Sequence, residues 1–505
     1  MPDPTPTSIS SSRAGWSSLF ELSKYQWFVF IVASMAWMLD CMDQQFFTLA
    51  RTSAMRELVP IPATDDPRIE AYARSDKTGK LDAGNPEDRT TILQKIYKTD
   101  VSDWGGYSTS AFLIGWALGG LAFGVMGDRK GRVKTLTFTI LIYAIFTGFS
   151  AFSLSVWDFL LYRLLTGLGV GGVFAVVVAL IAETVPDRAR PYSLGLLQSL
   201  SAVGNCSAAL TFMFLGYLQQ AGHFENLYIL GMGPVKPWRL MFLVGIIPAL
   251  LAIVIQLKVQ EPEQWRSAVS GSKKRGSFSE LLGDRRWRSR ALFGLLLAIA
   301  GVVGLWGIGF FAVDLQQSVL KKTLKAEGEA LGLIGDNLSN YVDGSSIYWA
   351  GITSMVLNIG AALGMLSFSW LTSFTGRKPA FAIAFLAAAA STSLVFATMS
   401  TRVDILWMVP LMGFCQLAIF GGYAIYFPEL FPTRLRSTGT SFCYNVGRLI
   451  AALGPTLLAL MSTRLFGHYE EPMRWAGVTM CSIFFLGLFA LPFLPETKGK
   501  PLPEG

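Results

Sequence analysis

The residues of this sequence that are best placed to do chemistry are charged side chains inside long apolar runs. Asp40 and Asp43 lie three residues apart in the run near residues 25–50, so on a helix they share one face. Arg163 interrupts a second such run and Arg448 a third. A charged group inside a bilayer is costly unless it meets water or an opposite charge. We therefore predict that these residues line a water-filled passage or pair with one another.

Arg448 is the strongest candidate for direct contact with a substrate. It follows Arg436 by about 18 Å along a helix, which places it near the middle of a membrane. There it could clamp a carboxylate with two hydrogen bonds, or satisfy an aspartate or backbone carbonyls instead. The rest of the predicted pocket consists of polar or aromatic side chains within apolar runs, whose aromatic members also fit helix packing: Arg51, Trp306, Asp314, Gln316, Gln317, Asn358, Gln416, Tyr423, Tyr444 and Asn445.

The charges of this presumed cavity favour an organic anion. Protonation of one of the acids would leave one arginine without a partner, and that arginine could bind a carboxylate. The arginines are Arg51, Arg163 and Arg448, and the acids are Asp40, Asp43 and Asp314. A neutral sugar is the alternative solute, because the Gln, Asn, Tyr and Trp side chains can bind hydroxyl groups and stack on rings.

The elements that must carry these residues are membrane-spanning helices. Of the 505 residues, 52% are hydrophobic and only 15% are charged, too few charges for an ordinary soluble surface. Each span needs about 20 apolar residues. We predict an all-α membrane protein with twelve transmembrane helices, near residues 25–50, 104–126, 134–154, 156–183, 190–218, 238–258, 291–319, 347–371, 379–399, 403–428, 437–463 and 474–494.

Charge between the runs predicts the topology. Lys and Arg cluster after every even-numbered run, so by the positive-inside rule that side and both termini are cytoplasmic. The net charge of +8 is explained in this way, and nucleic-acid binding is disfavoured. The predicted organisation is a tail (1–24), a six-helix bundle (25–258), a linker (259–290), a second bundle (291–494) and a tail (495–505). An outer stretch, 52–103, is expected to be a solvated loop, with a small amphipathic cap as the alternative.

An internal repeat supports the two bundles. The string from Glu183 through Arg188 to Arg190 recurs from Glu429 through Arg434 to Arg436, about half a chain later. The pair Gly131-Arg132 recurs as Gly376-Arg377 at nearly the same offset. Two copies in the same orientation are typical of transporters, in which the substrate site lies between the halves.

Several of these motifs resemble the major facilitator superfamily. The stretch Gly124-Val-Met-Gly127-Asp128-Arg129-Lys-Gly131-Arg132 is similar to its signature loop. Asp40-Cys-Met-Asp43 resembles a segment of the sugar and metabolite:proton symporter branch, including sialic-acid and aromatic-acid transporters, although the usual glycine is missing. The resemblance implies that Asp43, with Asp40 nearby, faces Arg163 and carries a coupling proton. The alternative is a permanent ion pair between the first and fourth spans. The resemblance also favours a cell inner membrane and a monomer.

The arginine-rich repeats offer a gate on the cytoplasmic side. Acids at helix ends can pair with arginines of the loops, in one conformational state only. The predicted gate residues are Gly124, Gly127, Asp128, Arg129, Gly131, Arg132, Glu183, Arg188, Arg190, Gly376, Arg377, Glu429, Arg434 and Arg436. In the second copy Ser373 stands where Asp128 stands in the first. Solvated charges are the alternative, because exposed ion pairs contribute only about 0–1 kcal/mol.

Other chemistries have little support in the sequence. The five cysteines lie in apolar runs without metal-ligand spacing, so neither a metal nor a cofactor is predicted. His223 and His468 lie in outer loops, which disfavours a histidine relay. No nucleotide-binding loop or nucleophile motif argues for an enzyme. We predict a secondary transporter of a small organic solute by proton symport, and the alternative of another class is a non-transporting receptor or scaffold.

Overall fold

The computed structural model describes residues 15–75, 82–220, 235–269, 276–451, 453–466, 468–469 and 471–503. Within these residues every regular element is a helix. Ten helical runs in this part of the chain are long and apolar enough to cross a membrane. Two more helical stretches, which are more polar than these ten, complete a set of twelve spans. They are Arg190–Gln220 and the series Arg436–Ala451, Gly454–Leu460 and Met461–Leu465. The predicted all-α fold with twelve transmembrane helices in two six-helix bundles is confirmed.

The first bundle follows the predicted order of spans. Its helices are α1 (Lys24–Leu58), the short outer α2 (Arg68–Ser75), α3 (Pro86–Lys130), α4 (Arg132–Ser150), α5 (Val156–Thr184), α6 (Arg190–Gln220) and a broken sixth span of α7 (Pro237–Val244) and α8 (Pro248–Lys258). Two short helices follow in the linker, α9 (Glu263–Val269) and α10 (Phe278–Gly283). Proline at the first turn of α8 removes a backbone donor, which explains the break before it.

The second bundle repeats this pattern. It comprises α11 (Arg285–Val303), which continues through the wide turn Gly304–Ile308 to α12 (Ala312–Ala330), then α13 (Gly335–Thr375), α14 (Arg377–Thr398), α15 (Arg402–Leu430), α16 (Arg436–Ala451), α17 (Gly454–Leu460), α18 (Pro472–Met480) and α19 (Ile483–Ala490). The fourth spans of the two halves, α5 and α15, each contain 29 residues. Each begins with a capping box, formed by Ser155 with Asp158 and by Thr401 with Asp404. The two halves therefore also share the sequence signal that begins this helix.

The outer stretch 52–103 is largely helical rather than a solvated loop. α1 continues to Leu58, α2 lies within the stretch and α3 begins at Pro86. Ile69 of α2 packs against Ile92 and Ile96 of α3 in a small separate core. Arg68 ties the two helices together through Asp100, at 2.6 Å. A search for apolar runs detects only the segment of a helix that crosses lipid. It missed these extensions because their apolar side chains lie along only one face of each helix.

The two bundles meet mainly along two pairs of helices, with further contacts of α5 and α6 to α15 and of α5 to α16. α3 packs against α16, and α6 packs against α13. We call the end of the bundles that carries Arg132, Arg377 and Arg436 the basic end, and the opposite end the far end. Both described ends of the chain lie at the basic end: Trp16 packs on Tyr192 at the start of α6, and the Glu496 carboxylate accepts the backbone N–H of Arg377.

Candidate functional site

At the basic end, the Asp128 carboxylate joins the bundles. It accepts the backbone N–H groups of Ser437 and Thr438, at 3.1 and 2.8 Å, and the Thr438 hydroxyl at 2.6 Å. These groups belong to the first turn of α16, where unpaired N–H groups and the helix dipole favour an anion. The sequence analysis predicted an arginine partner for such an acid, and Arg132 is one. The helix N-terminus that Asp128 binds belongs to the other bundle.

Small residues let the two helices approach closely at this point. A side chain at Gly124 would lie 2.5 Å from the Ser441 Cβ atom, and one at Gly127 would lie 2.8 Å from the Ser437 hydroxyl. The Ser441 hydroxyl donates to the carbonyl of Gly120. Glycine is therefore required along this face of α3 for the basic end to close.

A buried charge cluster extends this junction. Arg132 donates to Asp128 at 2.6 Å and to Glu183 at 2.8 Å. Glu183 also accepts from Arg436 of the second bundle, at 2.6 Å, and all four side chains are buried. Breaking such a pair from one side is costly because it leaves an uncompensated buried charge. The cluster therefore fastens the first bundle to α16.

The second copy of the motif is arranged differently. Arg377 donates to Glu429 at 2.8 Å, but both residues belong to the second bundle. Ser373, in place of an acid, accepts a hydrogen bond from the Tyr192 hydroxyl of the first bundle at 2.7 Å. Among the described residues, this copy thus contributes a neutral bond between the bundles, whereas the first copy contributes charged ones.

The remaining predicted gate residues fall into two groups. Arg129 donates to the carbonyl of Gly276, and Arg434 pairs with Glu280, so both hold the linker against the basic end. Arg190 pairs with its neighbour Asp187, and Arg188 is exposed with no ion pair among the described residues. Gly131 and Gly376 have φ angles of 110° and 94°, which allow the sharp turns after α3 and α13.

A glutamate caps the helix after each of these turns. Glu261 accepts backbone N–H bonds from Arg132 and Val133, and Glu496 accepts them from Arg377 and Lys378. Burial raises the pKa of Glu261 despite these bonds. Burial acts in the same direction on Glu496, but its backbone bonds together lower the pKa of that carboxyl. The sequence analysis did not include either glutamate among the gate residues.

A cavity of about 210 Å³ lies between the bundles, in the half nearer the far end. It is lined by α1, α3, α16 and the α11 region; its described walls are Gln44, Phe47, Thr48, Arg51, Thr109, Phe112, Leu113, Trp116, Val302, Trp306, Arg448 and Ala451. Among the predicted pocket residues, the structure brings together Arg51, Trp306 and Arg448 here. We call this space the central cavity.

Arg448 is the principal charge of the central cavity. Its guanidinium lies 3.7 Å from the ring centroid of Trp116 and 4.2 Å from that of Tyr444. Its Nε and Nη1 atoms have no hydrogen-bond partner. Cation–π contacts orient the group without using its N–H donors. These two donors are therefore unsatisfied in this conformation, in a side chain that lines the central cavity.

The acids and the arginine predicted for proton coupling are all buried. Asp40 and Asp43 are 0% and 1% exposed, and Arg163 is 0% exposed. Asp40 accepts a bond from Gln44 at 2.8 Å, whereas neither oxygen of Asp43 has a hydrogen-bond partner. Arg163 donates to the Ser150 hydroxyl and to the Thr166 hydroxyl, at 2.5 and 3.1 Å. Asp43 and Arg163 interact electrostatically but form no ion pair within 4.0 Å.

Other predicted pocket residues are engaged elsewhere. Gln416 donates to Thr392 at 2.6 Å inside the second bundle, and the Tyr423 hydroxyl donates to the carbonyl of Leu297. Asn358 accepts from Asn205, and Asn445 bonds Ser441, so both lie where the bundles touch. Gln316 is buried with an unpartnered amide, and Tyr444 supports Arg448. The side chains of Asp314 and Gln317 lie outside the described residues.

Six polar or aromatic cavity residues were not predicted from the sequence: Gln44, Phe47, Thr48, Thr109, Phe112 and Trp116. Gln44 and Thr48 follow Asp40 at intervals of one helical turn, so they share its face, and this spacing could have found them. Trp116 carries no such signal, because it is one of many aromatic residues in apolar runs. Among the described residues, no group of three His, Cys, Asp or Glu side chains could hold a metal ion.

Comparisons with known proteins agree with this architecture. Residues 17–278 match the family described as "Sugar (and other) transporter". A putative metabolite transport protein of Haemophilus influenzae is 29% identical, covering 79% of this chain and 88% of the relative. A cis,cis-muconate transport protein of Acinetobacter baylyi is 29% identical, covering 78% and 86%. The solved structure of the proton:xylose symporter XylE, of the major facilitator superfamily, has a TM-score of 0.64 at 17% identity and covers 95% of this chain and 98% of its own.

Proposed function

The chain belongs to the sugar transporter family of the major facilitator superfamily, and from this premise we propose that it is a proton-coupled symporter that moves a small organic carboxylate by alternating access. It is a transporter and not an enzyme. The solute class and the coupling to a proton are proposals.

The two unpartnered donors of the Arg448 guanidinium at the central cavity support the carboxylate. The guanidinium lies against two aromatic rings, and Trp116 and Trp306 provide flat apolar walls beside it. Charge-assisted bonds between arginine and a carboxylate are strong and directional. A relative named for cis,cis-muconate, itself a carboxylate, agrees with this choice.

We assign the coupling proton to Asp43. An ionised carboxylate buried without a donor costs several kcal/mol, and protonation removes this cost. Asp43 makes no hydrogen bond within 3.5 Å, although the Thr147 hydroxyl lies beside it. Arg163 is near enough to interact but is held by Ser150 and Thr166. A helix movement that brought Arg163 onto Asp43 would favour the anion and release the proton.

Alternating access follows from the closure of the basic end. The bonds of Asp128 and Glu183 to α16 hold this end shut, while the central cavity lies toward the far end. Breaking these bonds would let the bundles rock open at the basic end. By the positive-inside rule we place the basic end and both chain ends on the cytoplasmic side. We also propose that the protein lies in the cell inner membrane and that it works as a monomer.

A neutral sugar is the second candidate solute. The central cavity also presents Gln44, Thr48 and Thr109, uncharged groups that bind hydroxyls, beside two tryptophans. A sugar would leave the Arg448 donors without an anionic acceptor, which is why we prefer the carboxylate.

Uptake by proteoliposomes, with an inward proton gradient, tests the solute. We expect cis,cis-muconate to accumulate and glucose and xylose to be ignored. Arg448→Gln should weaken muconate transport at least about thirtyfold, because loss of a buried charge partner costs about 2 kcal/mol or more. Arg74→Gln is the control, since Arg74 is exposed on α2. Sugar uptake without muconate uptake would refute the carboxylate, and no uptake from a broad panel would favour a receptor or scaffold.

A further inference from the structure

A second cavity, of about 610 Å³, lies beyond the central cavity at the far end. It is enclosed by the last two turns of α1 and the first part of α3, the helical extensions described above. Its described walls include Arg51, Thr52, Arg56, Gln94, Tyr97 and Gly105. We call this space the outer cavity.

The outer cavity contains positive charge that is not neutralised. Arg56 has no ion pair among the described residues, and Arg51 donates only to the Thr109 hydroxyl, at 2.7 Å. The nearby acids are already engaged: Glu57 pairs with Arg239 at 2.8 Å, and Asp100 with Arg68. Asp103 is exposed and is not among the described walls. A cleft with charge of one sign concentrates ligands of the opposite sign.

Arg51 connects the two cavities, because it lines both of them. The backbone of α3 lies close to it at Gly105, where an added side chain would lie 3.8 Å from its Cδ and Nε atoms. On the outer side, the Tyr97 hydroxyl donates to the carbonyl of Arg56 and fixes the wall. Arg56, Arg51 and Arg448 therefore form a series from the far end to the central cavity.

We propose that the outer cavity is a second binding site for small organic carboxylates, held by Arg56 and Arg51, from which the anion passes to Arg448. The choice of an anion here rests on the proposed function. The site raises the local concentration of substrate at the entrance, and it selects by charge before the central cavity selects by shape. Arg51 lines both cavities, so it can contact an anion in either one. The anion would therefore move from Arg56 and Arg51 to Arg51 and Arg448, and it would exchange only one arginine.

Cysteine modification tests the outer site without depending on transport. Thr52 is exposed at the cavity wall, so Thr52→Cys, in a Cys206→Ser background, provides a reporter. The reagent is the anionic methanethiosulfonate ethylsulfonate, applied to the full chain in lipid nanodiscs. We expect cis,cis-muconate to slow modification at least about fivefold, and its neutral dimethyl ester to have no effect. Arg51→Gln and Arg56→Gln should each abolish protection, while Arg74→Gln should keep it.

Arg448→Gln separates this site from the central one. Protection that persists in the Arg448→Gln variant supports an independent outer site, even if uptake is lost. Protection that disappears with Arg448→Gln, that is equal for the ester, or that survives either Arg51→Gln or Arg56→Gln would overturn the proposal. The proposed function fails separately, when wild-type proteoliposomes accumulate no carboxylate.

Discussion

The Asp43 carboxylate differs in its surroundings from three other buried acids among the described residues, Asp128, Glu183 and Glu429. Asp128 accepts three bonds from α16, Glu183 pairs with two arginines, and Glu429 is bonded by Arg377 and Thr497. Each of those acids has a structural role as an anion. Asp43 is equally buried and has no such partner. The ionised form of Asp43 is therefore the less stable one in these surroundings, and a carboxylate of this kind is suited to take up a proton.

The substitution Asp43→Asn tests this assignment. Asparagine keeps the size of the side chain but cannot take up and release a proton. We expect a proton gradient to drive no accumulation of muconate, while exchange of internal for external substrate continues. Uptake and counterflow in proteoliposomes measure the two activities. Asp65→Asn, at an exposed acid of the outer segment, is the control. Gradient-driven accumulation at the wild-type level by Asp43→Asn would exclude Asp43 as the proton carrier.

At the scale of elements, the turns after α3 and α13 set the geometry of the basic end. Gly131 combines a φ of 110° with a close neighbour: an added side chain would lie 2.1 Å from a Glu261 oxygen. The same glutamate caps α4, so the turn, the cap and the buried cluster around Arg132 form one unit. Gly376 and Glu496 form the equivalent unit in the second bundle.

Gly131→Ala should therefore destabilise the protein. The φ of 110° and ψ of 158° at Gly131 form a conformation that is essentially restricted to glycine and costs another residue about 1–3 kcal/mol, and displacement of Glu261 adds to this. Gly351→Ala is the matched control, because Gly351 lies within α13 with nothing within 4 Å of an added side chain. Thermal unfolding in detergent measures the effect, with a lower Tm expected for Gly131→Ala and an unchanged or higher one for the control. Equal Tm values for Gly131→Ala and wild type would contradict the role of the turn.

At the scale of the whole molecule, the two halves close the basic end unequally. The first copy of the repeated loop binds α16 through a charged network, and the second binds α6 through the neutral Tyr192–Ser373 bond. A carboxylate at a partly buried helix N-terminus contributes up to about 2 kcal/mol. Most of the stabilisation of the closed state should therefore come from the α3–α16 junction.

Distances between spin labels test this asymmetry. Labels at Arg188→Cys and Thr375→Cys report the separation of the bundles at the basic end, because both positions are exposed there. Asp128→Asn should shift the distribution to longer distances, with at least about a tenfold rise in the open population. Ser373→Ala, at the equivalent position of the other half, should have little effect. Equal shifts for both variants would refute the asymmetric gate.

The sequence by itself determined the spans, the repeat and the charged residues of interest. A bilayer requires about 20 apolar residues per helix and penalises each charge within them, so both leave a pattern that is visible without coordinates. The repeated string of an acid and two arginines also indicated that α5 and α15 are equivalent helices of the two halves. The sequence did not reveal the helical extensions that enclose the outer cavity, because helices outside lipid need only a narrow apolar stripe.

Only the tertiary structure decided which of these side chains meet. Gln416 and Tyr423 are as polar or aromatic as Gln44 and Trp116, yet the first pair bonds within a bundle and the second pair lines the cavity. The difference is the direction in which each helix face points, and packing between helices distant in the chain sets this direction. For the same reason, the backbone N–H groups that Asp128 binds belong to the start of α16 rather than to the start of α4, the helix that follows it.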